Sequence, residues 1–318
     1  IKRLHHVFLL FRINKNKMRK VLLYLLLFSL TACLTKSKKE NGNTIKIVCT
    51  TSIISDWVVN IASNEMQIIP LLKTGIDPHV YKPSKRDLDI LRSADVVIYH
   101  GLHLEGKIIE VLKKMEGPLI INASQNYSQD LIIRDPSFPA SIDPHVWFDL
   151  DLTRSAITTI TQNLSAEYPQ FKDELDSNMQ AYFSQINNVA KQVKSIISSI
   201  PEGQRTVITT HDALSYFGRS FGFNVKTLQG ASTVSEFGLK EITGLVDFIV
   251  DQQIPAIFLE NIISPQAMIS VQKGCKAKGF EVKIGPELLS DSLGDKEDQN
   301  TYTDMLLFNA RTIAEYLR

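Results

Sequence analysis

From Ile45 onward the chain alternates short, nearly continuous apolar runs with segments whose apolar residues return every third or fourth position. In the first half the runs Ile45–Thr50, Gln67–Leu72, Asp95–Tyr99 and Leu119–Ile121 read as strands. Helices are expected between them at about Ile53–Ser63, Ser84–Ser93 and Glu105–Met115. After Pro201 the alternation resumes, with strands at Thr206–Thr210, Asn224–Thr227, Ala256–Glu260 and Glu281–Ile284. The accompanying helices fall at about Ala213–Phe221, Glu236–Gln252, Pro265–Lys278 and Tyr302–Leu317. Strands without a polar face, each followed by an amphipathic helix, predict parallel sheets covered on both sides. The helix placed from Glu236 is the clearest: Leu239, Ile242, Val246 and Ile249 share a stripe, and Thr233 and Glu236 have capping-box spacing.

Between the halves, Gln170–Ser199 keeps helical periodicity with no internal Gly or Pro, and Pro201-Glu202-Gly203 stops it. Such a helix would be about 45 Å long and would act as a strut. The expected architecture is therefore α/β, with two parallel-sheet lobes joined by one long rigid helix. Its boundaries are a leader over 1–32, a tether over 33–44, an N-terminal lobe over 45–169, the linking helix over 170–200 and a C-terminal lobe over 201–318. A single stiff connector predicts limited hinge motion between the lobes.

Composition agrees with two cores, since 44% of the 318 residues are hydrophobic and 22% charged. The near balance of 35 Lys plus Arg against 34 Asp plus Glu conceals an asymmetry. Seven of the basic residues, and no acidic one, lie in the first 32 positions, so the remainder carries 28 basic against 34 acidic residues. A mildly acidic body without a basic cluster argues against nucleic acid as a partner. Three cysteines are too few for a disulfide-built scaffold. Cys49 falls in a predicted strand and Cys275 in a helix, and two buried thiols are expected there rather than a bridge.

The basic stretch Met18-Arg19-Lys20 precedes the apolar run Val21–Leu30, which is too short to span about 30 Å of hydrocarbon and reads as a signal peptide. The segment Leu30-Thr31-Ala32-Cys33 that follows resembles the lipobox of bacterial lipoproteins, which implies lipidation of Cys33. The residues before Met18 are dispensable to that signal and are read as an over-extended start. Leu34–Thr44 is polar, lysine-rich and aperiodic, as a flexible tether to a lipid anchor would be. This places the folded body outside the cytoplasmic membrane, either periplasmic or on the cell surface.

Five histidines lie beyond the leader: His79, His100, His103, His145 and His211. Two occupy matching contexts, Asp77-Pro78-His79-Val80-Tyr81 and Asp143-Pro144-His145-Val146-Trp147. In each, a Pro restricts the backbone just before the imidazole, and an Asp stands ready to accept a local hydrogen bond. His211 follows the strand Thr206–Thr210 directly, at the carboxyl end where open α/β sheets bind ligands. Asp291 lies in a loop beyond another strand, and spacing alone does not single it out.

In series, the two DPHV segments, Thr210–Phe223 (THDALSYFGRSFGF), Leu228–Glu236 (LQGASTVSE), Phe258–Pro265 (FLENIISP) and Glu287–Gly294 (ELLSDSLG) resemble the metal-binding lipoproteins of ABC importers, the TroA-like or ZnuA-like solute-binding proteins. The resemblance covers essentially the whole chain from Ile45. It implies that His79 and His145 from the first lobe, and His211 and Asp291 from the second, meet on one divalent metal in the cleft between the lobes. Three neutral imidazoles and one carboxylate suit a borderline transition metal better than calcium or magnesium. Relatives with a carboxylate where His211 stands lean toward manganese, so His211 leans toward zinc or a mixed specificity. Zinc-specific relatives, however, commonly carry a His-rich acidic loop, and Lys107–Ser141 here holds no histidine. Zinc and manganese both stay open. His103 and Glu105, in a segment similar to the family's GLHLE, and Glu260, at a strand end, are candidates for supporting positions near the site.

The resemblance implies a monomeric, lipid-anchored binding protein that captures zinc or manganese as cargo and delivers it to an ABC permease, without catalysis. The competing classes are a zinc-dependent hydrolase and a surface adhesin. Against the first stand four protein ligands and the absence of HExxH or another helix-borne metal pair, a nucleophilic hydrolase lacks GxSxG, and no repeat or exposed-strand signature supports the second.

Overall fold

Strand β1 (Ile45–Cys49) lies between β2 (Met66–Pro70) and β3 (Val96–Tyr99), and β4 (Leu119–Asn122) completes an all-parallel sheet in the order β2-β1-β3-β4. The computed structural model describes residues 44–134, 142–234 and 236–318. The leader, Cys33 and the tether up to residue 43 lie outside them. In the C-terminal half β5 (Thr206–Thr209) pairs in parallel with β6 (Asn224–Thr227), and β7 (Ala256–Glu260) with β8 (Lys283–Leu288), β5 lying beside β7.

The apolar runs have no polar face because both faces are covered. Ile47 and Cys49 of β1 enter the main core while Val48 enters a smaller cluster with Val97, Leu91 and Ile108. In β7, Ala256 and Phe258 face the main core and Ile257 faces a cluster with Ile208, Val271 and Cys275. Cys49 and Cys275 are buried free thiols in separate clusters.

The helices between the strands are α1 (Ser52–Ile61), α2 (Lys85–Arg92), α3 (Ile108–Leu112), α6 (Ser215–Phe221), α7 (Leu239–Asp251), α8 (Gln266–Ala277) and the terminal α9 (Tyr302–Leu317). Three expectations shift. The segment placed at Glu105–Met115 shortens to α3, because Gly101, Leu102, His103 and Gly106 all have positive φ and form turns. The helix placed from Glu236 starts at Leu239: Gly238 caps it, with its N–H donating to Glu241 Oε2 at 2.8 Å, and the Thr233–Glu236 box does not form. The last strand runs on through Gly285-Pro286, with the register shifting so that Phe258 opposes Gly285 and Leu259 opposes Glu287. Pro286 has no N–H for the ladder and is the residue skipped.

One further helix lies outside the expected elements. α4 (Leu150–Glu167) is 18 residues long and is capped by Asp149, which accepts from the N–H groups of Asp151 and Leu152. Its buried stripe of Leu152, Ala156, Ile157, Ile160 and Leu164 has helical spacing.

The long helix α5 (Lys172–Ser198) follows a short 3-10 turn at Pro169–Phe171 and is about 40 Å long. It buries Leu175, Met179, Tyr182, Ile186, Val189, Val193 and Ile197, in steps of three and four, against α1, α4 and α9. Each such side chain contributes roughly 1.5–3 kcal/mol on burial. The core it lines is shared by both halves, running from Ile47 and Trp57 through Ile186 to Val207, Phe258 and Tyr302. Asp56 fastens this junction, with Oδ2 accepting from the Tyr182 hydroxyl at 2.8 Å and the Tyr302 N–H at 3.1 Å.

Candidate metal centre

Four loops bring the candidate side chains together. In the first, the Asp77 carboxylate accepts from the N–H of His79 at 2.8 Å, closing the Asp-Pro-His turn. The second repeats the device: Asp143 Oδ1 accepts from the His145 N–H at 2.9 Å and also lies 2.7 Å from the ring's Nδ1. That second contact fixes the tautomer and turns Nε2 toward the cleft. The third is built on Glu260, at the end of β7. Its Oε1 accepts from the N–H groups of Thr210 and His211, both at 2.9 Å, and its Oε2 forms an ion-pair contact with His211 Nδ1 at 2.6 Å. The fourth, beyond β8, carries Asp291.

The imidazole Nε2 atoms and the Asp291 carboxylate converge. His145 Nε2 lies 3.4 Å from that of His79 and 3.3 Å from that of His211. Asp291 Oδ2 is 3.1 Å from His79 Nε2 and 3.5 Å from His211 Nε2, and Oδ1 is 3.3 Å from His145 Nε2. One donor atom from each of the four falls within 4.8 Å of the others. The cluster is sealed from solvent, with His145 and His211 0%, Asp291 1% and His79 5% exposed.

Both Asp291 oxygens are buried and accept no hydrogen bond. A buried carboxylate left so costs several kcal/mol unless a cation meets it. The spacing fits one: donors about 2.0–2.1 Å from a tetrahedral ion stand about 3.3–3.4 Å apart. The second Asp291 oxygen, buried likewise, is a further donor on the same residue.

Charge within the cluster is strongly coupled. Burial disfavours the imidazolium of His145, but the Asp291 and Asp143 carboxylates outweigh it and raise the pKa to about 9. For His211 burial is likewise outweighed, here by Glu260 and Asp291, and the pKa is held well above its ordinary value. Burial alone would raise Asp291; His145 and His211 instead hold it well below the usual carboxylate range. Without cargo the carboxylates favour protons on the His145 and His211 rings, and a divalent cation takes their place.

The supporting candidates separate. Glu260 touches His211 directly. Glu105 is fully buried but holds a neighbouring loop: Oε1 accepts from the Thr50 hydroxyl at 2.7 Å and from the His100 N–H, and Oε2 from the Gly101 N–H at 3.1 Å. His103 is exposed, on a turn of positive φ. His100 is buried, and burial pulls its pKa down to about 3. Neutral, it donates from Nε2 to the Pro144 carbonyl at 2.7 Å, steadying the second Asp-Pro-His turn.

Two contributors were missed from sequence. Trp147 sets its ring edge-on to both His145 and His100, and its Nε1 donates to the Ser290 carbonyl at 3.0 Å, beside Asp291. From α1, the Ser52 hydroxyl accepts from the Leu293 N–H at 3.0 Å. The position of Trp147 two residues after His145 was a usable signal for the first; Ser52 gives none.

The profile of the family described as "Zinc-uptake complex component A periplasmic" matches residues 47–316. Among curated relatives, the manganese-binding lipoprotein MntA of Bacillus subtilis is 38% identical over 300 residues, covering 92% of this chain and 96% of that protein. The zinc-binding protein TroA of Treponema pallidum is 36% identical over 275 residues, covering 85% and 88%. A solved structure of the periplasmic zinc-binding protein TroA from Treponema pallidum superposes with a TM-score of 0.83 at 35% identity, over 86% of this chain and 99% of that one. With the family profile spanning nearly all of the described body, the chain belongs to the periplasmic component A family of zinc-uptake complexes.

Proposed function

We propose that this protein captures a divalent transition metal, zinc or manganese, outside the cytoplasmic membrane and delivers it to the permease of an ABC importer. His79, His145, His211 and Asp291 hold the cargo. The observation that carries this reading is the Asp291 carboxylate, buried without a hydrogen bond and faced by three imidazole nitrogens at 3.1–3.5 Å. Three nitrogens and a carboxylate without thiolate admit both metals: four donors suit zinc, and the second Asp291 oxygen suits the higher coordination of manganese. The names of the relatives divide in the same way, MntA as manganese-binding and TroA as zinc-binding.

The lobes are 45–169 and 201–318, joined by the helix of 170–200, with Cys33 bearing the lipid anchor and a monomer as the working unit. Release follows when docking draws the Asp291 loop away from the two N-terminal histidines. Elemental analysis of protein purified without added metal, followed by zinc–manganese competition, tests the reading. One equivalent of transition metal per chain is expected, lost in His211→Ala and retained in His5→Ala. A wild-type protein that takes up neither metal at saturating supply overturns it.

A further inference from the structure

We infer that Asn261 is a positioning residue for Asp291, an assignment that rests on the metal-capture reading. The Asp291 carboxylate accepts no hydrogen bond of its own, so its location among three imidazoles is set through the backbone on either side. Asn261 grips both sides at once. Its Oδ1 accepts from the Ser290 N–H at 3.2 Å, and its Nδ2 donates to the Ser292 carbonyl at 3.0 Å, with a longer contact to the Leu293 carbonyl at 3.4 Å. A donor on one flank and an acceptor on the other fix the orientation of the amide, and no residue with two like groups could serve.

The grip is anchored in turn. The Asn261 N–H donates to the Leu288 carbonyl at 3.1 Å, extending the β7–β8 pairing by one step, so the side chain springs from a rigid strand end. Its neighbour Glu260 holds His211. One dipeptide at the end of β7 thus supports both C-terminal ligands. Bonds between the N-terminal half and the same loop include Trp147 Nε1 donating to the Ser290 carbonyl, the Gly75 N–H donating to Ser292 Oγ at 2.8 Å, and the Ser52 hydroxyl accepting from the Leu293 N–H. These cross between the halves, whereas Asn261 moves with Asp291. Asn261 therefore preserves the geometry of Asp291 while the crossing bonds form and break.

The test uses the whole protein with cobalt(II) as a probe, because its visible absorption reports the number and arrangement of ligands. In Asn261→Ala the metal-free protein should keep its far-ultraviolet circular dichroism. The cobalt spectrum should shift toward that of Asp291→Ala, and release to a chelator should accelerate at least about tenfold, as for loss of an outer hydrogen bond to a metal ligand. Asn261→Asp keeps the volume and the acceptor for Ser290 but loses the donor to Ser292, and should fall between; it carries the test alone if the alanine variant does not fold. A folded variant with wild-type spectrum and release rate overturns the assignment and leaves the capture reading intact. Failure of the wild type to take up cobalt, zinc or manganese overturns both.

Discussion

Gly106 abuts the backbone carbonyl of His79 so closely that a Cβ on it would come well inside 3.0 Å of that oxygen. Gly106 also has φ of +40°, a conformation that costs a side chain extra. The turn that carries Glu105 and the turn that carries His79 are therefore fitted to each other without a spare atom. Gly106→Ala should push His79 out of the cluster and weaken metal affinity by about 10–100-fold, with His145, His211 and Asp291 still in place. Calorimetric titration with zinc and manganese checks this; unchanged affinity would show that the loop yields elsewhere.

Metal affinity should rise with pH well past the ordinary histidine range. The reference pKa of about 6.5 places proton competition in mild acid, but Asp291 and Asp143 overcome the burial of His145 and raise it to about 9. Cargo must displace that proton at every pH below about 9, so affinity should fall about tenfold per unit as pH drops for each proton released. Folding stability follows the opposite course in metal-free protein. A raised histidine pKa stabilises fully below about 6.5, and the contribution is lost as pH rises through about 9. Titrations in buffers of different ionisation enthalpy count the protons, and a flat affinity between pH 7 and 9 would contradict the assignment.

Trp147 should report the metal. The chain has two tryptophans, and Trp147 alone is stacked edge-on to His145, at 5.2 Å between ring centres; Trp57 packs against Tyr302. Metal addition should change the emission of wild type and Trp57→Phe, and leave Trp147→Phe silent. Because the indole also bonds the Ser290 carbonyl, Trp147→Phe should lose affinity several-fold, about 1 kcal/mol for one neutral hydrogen bond.

Asp56 should matter for stability and not for cargo. Replacing it by Ala strands the Tyr182 hydroxyl and the Tyr302 N–H at the junction of α1, α5 and α9, at a cost of about 2–3 kcal/mol. Denaturant midpoints should drop accordingly while zinc affinity, measured under native conditions, stays within twofold.

Much of the fold is legible because both faces of each sheet are covered. Ile47 and Val48 enter different clusters, and this makes the run from Ile45 to Cys49 continuous and easy to recognise. Glycine and proline mislead in both directions: Gly285-Pro286, read as a strand end, sits inside β8 as a bulge, whereas Gly106, read as part of a helix from Glu105, is a turn residue ahead of α3. α4 carries its own signals, the Asp149 cap and the Leu152–Leu164 stripe, though no strand among the described residues directly precedes it to set the alternating pattern. Of the site, the doubled Asp-Pro-His turn is visible because Asp77 and Asp143 do the same local job. Asp291 and its supports are not, since Asn261, Trp147 and Ser52 reach it from up to about 240 residues away. Local pattern carries no trace of such contacts.

Each half keeps a small cluster of its own, but the larger core that α5 lines is common to both, and neither half can close it alone. Ile186 and Val193 touch the same cluster as Ile47 and Phe258, so a chain cut near Pro201 would give two fragments with raw apolar flanks. The protein should melt in one step, and capture of cargo should tighten loops around a fixed frame without drawing the molecule shut like a jaw.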